Sequence, residues 1–105
     1  MNGYLARYLV AVEHPGVSAF EHIDMLMVRD RLAEQESSMS LRDTRRLKAA
    51  DQRLLEQAAA FQSELARVTS LEVERQRRQP PPQHWWWYLD VLSVLPRDPD
   101  NELSG

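Results

Sequence analysis

Apolar side chains recur along this chain mainly at spacings of three, four and seven residues, the pattern of helices that bury one face. Tyr4, Leu5, Tyr8, Leu9 and Val12 form a first amphipathic stretch, and His14-Pro15-Gly16 stops it. Ser18 stands three residues before Glu21, and Ser40 three before Asp43, so two capping boxes predict helices that begin just after each serine. The second helix, residues 19–36, has no wide polar side. Phe20, Ile23, Leu26, Met27 and Ala33 make one apolar face, and Met25, Val28 and Leu32 make another. A helix of that kind is covered on both sides, which places it between the first and third helices; the alternative is that a partner subunit covers the Met25, Val28 and Leu32 face.

The third stretch is the most regular. Leu47, Leu54, Ala58, Phe61, Leu65 and Val68 fall within roughly 80° of arc at about 100° per residue. Leu47, Leu54, Phe61 and Val68 repeat every seven residues, while Asp51 interrupts the alternate row. That seam suits one antiparallel partner helix. From Leu41 to about Arg77 such a helix is on the order of 55 Å long. That outgrows a 105-residue domain, whose radius of gyration is expected near roughly 13 Å. Its far end must therefore break, project or lie against something else.

Pro80, Pro81 and Pro82 end the long helix and predict a short stiff spacer. Beyond it, His84-Trp85-Trp86-Trp87-Tyr88-Leu89 opens a fourth helix. On a helical wheel Trp85, Trp87, Tyr88, Leu89, Val91, Leu92, Val94 and Leu95 share one arc, and Trp86 falls with Asp90 and Ser93 on the polar side. One reading folds this segment onto the hairpin as core. The other makes Trp86, with Trp85, Trp87 and Tyr88, a docking surface for another protein, since Trp and Tyr dominate interface hot spots.

Composition narrows the classes. There is no cysteine, so disulfides, zinc ribbons and thiol nucleophiles drop out. No apolar run is long enough for a membrane span or a secretory leader, which gives a cytoplasmic expectation. The net charge of −3 hides a −3, +3, −3 sequence of blocks over residues 1–36, 37–78 and 90–105. A chain so divided can pair with itself or with a complementary partner.

Glu13-His14 and Glu21-His22, near Asp24, are the only residues of metal-ligand type that cluster, and no ligand spacing accompanies them; they read as capping and solvated groups. No nucleophile stands in a matched setting, and three scattered glycines make no phosphate loop. Arg42, Arg45, Arg46, Lys48 and Arg53 crowd the start of the third helix, in a stretch with the look of a helix-turn-helix. Against that, the turn lacks glycine, and Arg53 with Glu56, Glu64 with Arg67 and Glu74 with Arg78 have the spacing of surface salt bridges.

These patterns predict an all-α fold: a helical hairpin with a long central helix, a short N-terminal helix and a proline-tethered aromatic C-terminal helix. Residues 1–79 form the helical domain, 80–95 the aromatic segment and 96–105 an acidic flexible tail. The expected function is non-catalytic binding of another protein or of a second copy, by an adaptor, an assembly subunit or an inhibitor with an antitoxin-like layout, with no cofactor or metal. The alternative is a small DNA-binding regulator that uses Arg42, Arg45, Arg46 and Arg53.

Overall fold

Most helices begin where a side chain closes the first turn. The computed structural model describes residues 2–95, and among them the chain is helical with no strand. The Asn2 carboxamide oxygen accepts from the amides of Tyr4 and Leu5 at 2.8 and 3.3 Å and opens α1, Gly3–Ala11. Ser18 caps α2, Ala19–Gln35, and Ser40 caps α3, Leu41–Glu56, each hydroxyl accepting from the amide three residues on. A 3-10 turn, Glu36–Ser38, joins them. Ser70 does the same for α5, Leu71–Arg78. Each cap contributes about 1 kcal/mol.

The seam residues Leu47, Leu54, Ala58, Phe61 and Leu65 are all buried, yet the expected rod is not one helix. It breaks at Gln57 (φ −107°, ψ 16°), resumes as α4, Ala58–Leu65, and turns again before α5. The Gln57 side-chain amide donates to the Val12 carbonyl at 2.6 Å, so the break is tied to the end of α1. Size supplies the reason: the described molecule measures 38 × 37 × 26 Å, and an unbroken helix of on the order of 55 Å has nowhere to lie. The bend lets α3 pack on α1 while α4 packs on α2. The α2–α3 hairpin is accordingly replaced by a bundle in which α2 packs chiefly on α1 and α4. Val68, expected on the seam, lies past the end of α4 and is 51% exposed.

The proline run is likewise no straight spacer. Gln79 takes the left-handed conformation (φ 47°, ψ 58°), at a cost of about 1–2 kcal/mol for a residue with a Cβ, and reverses the chain after α5. A hydrogen bond from the His84 amide to the Pro81 carbonyl, 2.9 Å, closes a turn. Trp85–Tyr88 then form a 3-10 helix that runs into α6, Leu89–Leu92, and α6 packs on α4. The acidic tail expected over 96–105 lies outside the described residues.

Candidate functional site

Two consecutive residues of α2 organise the interior. Arg29 reaches α3: its Nε and Nη2 donate to the two oxygens of Asp51, both at 2.9 Å, and its Nη1 donates to Glu36 at 3.3 Å. The Tyr8 hydroxyl also donates to Asp51, at 2.6 Å. The guanidinium carbon lies 4.1 Å from the Trp86 ring centre and 5.9 Å from that of Tyr8. Burial, and then the neighbouring Asp51 carboxylate, push the Tyr8 hydroxyl far above the ordinary tyrosine range, so it stays a donor at any pH the fold meets.

Asp30, one residue on, turns to the aromatic segment. A single oxygen, Oδ1, accepts from the Trp86 indole at 2.8 Å, the Trp87 indole at 2.9 Å and, in the tautomer protonated at Nδ1, the His84 ring at 2.9 Å. Trp86 and Trp87 are thereby drawn into the core, at 2% and 0% exposure. Their burial corrects the wheel that put Trp86 on the polar side. A 3-10 helix advances about 120° per residue rather than about 100°, which changes the phase, and Asp30 satisfies both indole N–H groups inside.

A second joint holds the segment from α5. Arg75 donates to both oxygens of Asp90, at 2.8 and 3.1 Å, and to the Trp87 carbonyl at 2.8 Å, with its guanidinium over Tyr88. Arg78 lies over Trp87 and donates to Glu74 at 2.8 Å; Thr69 and Arg77 complete the shell of that buried carboxylate. Burial alone would raise both acids. The hydrogen bonds and charges of Arg78, Thr69 and Arg77 on Glu74, and of Arg75 on Asp90, outweigh it and hold each below the usual carboxylate range. All these groups are engaged with one another, and what they accomplish together is to fix the aromatic segment in place.

Hollows of about 530 and 420 Å³ open beside α1, the first between Val10 and the Val17 and Val28 side chains, the second at Asn2, Tyr4 and Gln35, and further surfaces face solvent elsewhere. A cleft of about 550 Å³ has Arg29, Asp51 and Trp86 on its walls and is also bordered by Glu36, Lys48, Gln83, His84 and Trp85. Another hollow, about 320 Å³, brings Phe20 and Ile23 of α2 together with Val68, and Arg77 and Arg78 stand on its rim. Phe20 is 73% exposed there, and Met27, on the same row of α2, 44%. The outer face of α3 is open as well.

The residues expected to bind a partner are mostly not on these surfaces. Met25, Val28 and Leu32 are buried with Trp86 and Trp87, because α2 turns that face, together with Leu26 of the other, toward the rest of the chain and leaves Phe20 and Met27 outside. Trp85 is half-buried and Tyr88 is 37% exposed. Of the arginines of the nucleic-acid alternative, Arg42 and Arg45 are exposed; Arg46 lies 3.9 Å from Asp43, and Arg53 pairs with Glu13 and Glu56. The two Glu-His pairs part company. His14 is exposed, while His22 is buried, its Nε2 bonded to the Pro15 carbonyl at 2.9 Å and its ring edge-on to Phe61. Among the described residues no three metal-ligating side chains converge.

Sequence reasoning did not find Arg29, Asp30 or Phe20. Two signals pointed toward them: Asp51 in an otherwise apolar seam, and a second helix with one apolar face too many. No family model, curated protein or solved structure matches the chain.

Proposed function

We propose that the protein is a non-catalytic protein-binding module that docks a partner on the Phe20, Ile23 and Val68 surface. The observation that carries this reading is Phe20, a large aromatic ring left 73% exposed over a hollow in a chain that buries two tryptophans. Ile23 and Met27 extend the apolar row along α2, with the spacing that receives an amphipathic helix. Arg77 and Arg78 edge it. The Glu74 carboxylate between them is only 5% exposed, so the charge shown to solvent is positive. A partner helix with an apolar ridge and an acidic border fits. A two-fold pairing of the patch with itself would set like charges against each other, which favours a different chain over a second copy.

The test compares the full chain with Phe20→Asp and with Val10→Asp, a change at another exposed apolar position. Quantitative pull-down from the native host, followed by reconstitution with the purified candidate, is expected to show one stoichiometric partner lost only with Phe20→Asp. Equal retention by both variants refutes the reading. A wild-type chain that sediments as a dimer, and becomes a monomer only on Phe20→Asp, replaces the partner with a second copy.

A further inference from the structure

Nine of the twelve Arg and Lys side chains among the described residues have a carboxylate within reach. Arg7, Arg29, Arg31, Arg46, Arg53, Arg67, Arg75, Arg77 and Arg78 each lie within 4.0 Å of an Asp or Glu oxygen. Among the described residues, Arg42, Arg45 and Lys48 have no such partner, and all three belong to the first two turns of α3. They recur every three residues, as a diagonal row along the outward side of one helix. They add no ion pair to the fold, and Arg42, in the first turn, opposes the helix dipole that Ser40 and Asp43 favour.

The row ends at an aromatic wall. Lys48 borders the cleft that also holds Trp85, the one tryptophan that is not fully buried. The acids of the same cleft are already occupied: Asp51 by Arg29 and Tyr8, Glu36 by Arg29. Little apolar surface accompanies the cations on α3. Leu41 is the large exposed one, and Ala49 and Gln52 fill the rest of that side, which is too little for a lipid surface or a protein core contact.

From this juxtaposition we propose that α3 and the cleft bind single-stranded nucleic acid, with phosphates along Arg42, Arg45 and Lys48 and a base against the Trp85 ring. An unpaired basic track beside an aromatic ring that still borders an open cleft is the arrangement that takes a polyanion carrying flat rings. The site is separate from the Phe20 surface and stands or falls independently of it.

The test uses the full chain and a fluorescein-labelled oligo-dT of about 15 nucleotides, a length chosen to cover one such site. Anisotropy at low salt is expected to show saturable binding that quenches tryptophan emission. Affinity should fall roughly tenfold between about 50 and 150 mM salt, the slope for three phosphate contacts on a single strand. The double variant Arg45→Ala, Lys48→Ala should weaken binding and flatten that slope. Arg31→Ala, which removes an exposed but paired arginine, should change neither. Trp85→Leu should weaken binding, and Trp85→Phe should restore it, with helical content unchanged by circular dichroism. No binding at low salt, or full affinity in the double variant, overturns the proposal. Competition by polyglutamate as strong as that by oligo-dT overturns it in favour of an acidic protein, and tighter binding of a duplex of equal length overturns the single-strand assignment.

Discussion

Arg29 and Arg45 are the same side chain sixteen positions apart in one small chain, and their surroundings are opposite. Arg29 has a side chain only 4% exposed, with two carboxylates and an indole ring around it. Arg45 stands in solvent with no carboxylate near. The inner cation is part of the architecture: burying it is tolerable only because Asp51 pairs with two of its nitrogens and Glu36 meets the third. The outer ones bring the fold no bond. What the contrast teaches is that this chain pairs charge where it builds structure and leaves charge unpaired along one helical row.

Several substitutions would break or sharpen that contrast. The largest effect is expected at Asp30. Asp30→Ala strands two indole N–H groups and a histidine, and the loss should reach about 3–5 kcal/mol in urea unfolding, with red-shifted tryptophan emission. Next is the ion pair itself. Arg29→Met leaves the half-buried Asp51 with a charge met only by Tyr8 and should cost about 3 kcal/mol, whereas adding Asp51→Leu with Tyr8→Phe should return much of it, because matched apolar groups leave neither a charge nor a hydroxyl stranded. If the triple variant is no more stable than the single, the pair contributes more than mutual neutralisation.

Acid should loosen the second joint. Glu74 and Asp90 both have folded-state pKa values below their unfolded ones. Their contribution is therefore complete above the unfolded values and is lost as pH falls through the folded ones. Unfolding midpoints should hold steady from neutrality down to about pH 5 and then decline, and Arg78→Ala should lessen the part of the decline that Glu74 supplies. The smallest effect belongs to the outer row. Arg42→Ala and Lys48→Ala should each leave stability within about 0.5 kcal/mol of wild type, since no native ion pair is removed, and Arg42→Ala should raise it slightly by relieving a first-turn dipole clash.

Helical class, the two serine caps and the buried seam from Leu47 to Leu65 were readable from spacing alone, because each depends on neighbours three or four residues away. Three features depended on distant residues and were not. The bend at Gln57 follows from a carbonyl at Val12. The inward turn of Trp86 follows from Asp30, and no wheel drawn on residues 85–95 contains that acceptor. The choice of which α2 face is covered followed from where α1 and α4 settle, so Phe20 emerged exposed and Met25 buried. The salt bridges foreseen from helical spacing do form, Arg53 with Glu56, Arg67 with Glu64 and Arg78 with Glu74. Only the last is more than a surface contact, since α5 carries Glu74 inward.

The oxygen of Asp30 waits for donors that lie 54 to 57 positions later in the chain. A nascent chain leaving the ribosome has made α2 long before it makes residues 84–87. Until then Asp30 lacks its donors and Arg29 lacks the ring above it. Closure of the interior is thus postponed to a long-range contact made only once residues 84–87 have emerged. A chain stopped at residue 80 should be held open as a set of loosely associated helices, the state in which chaperones and proteases would find it.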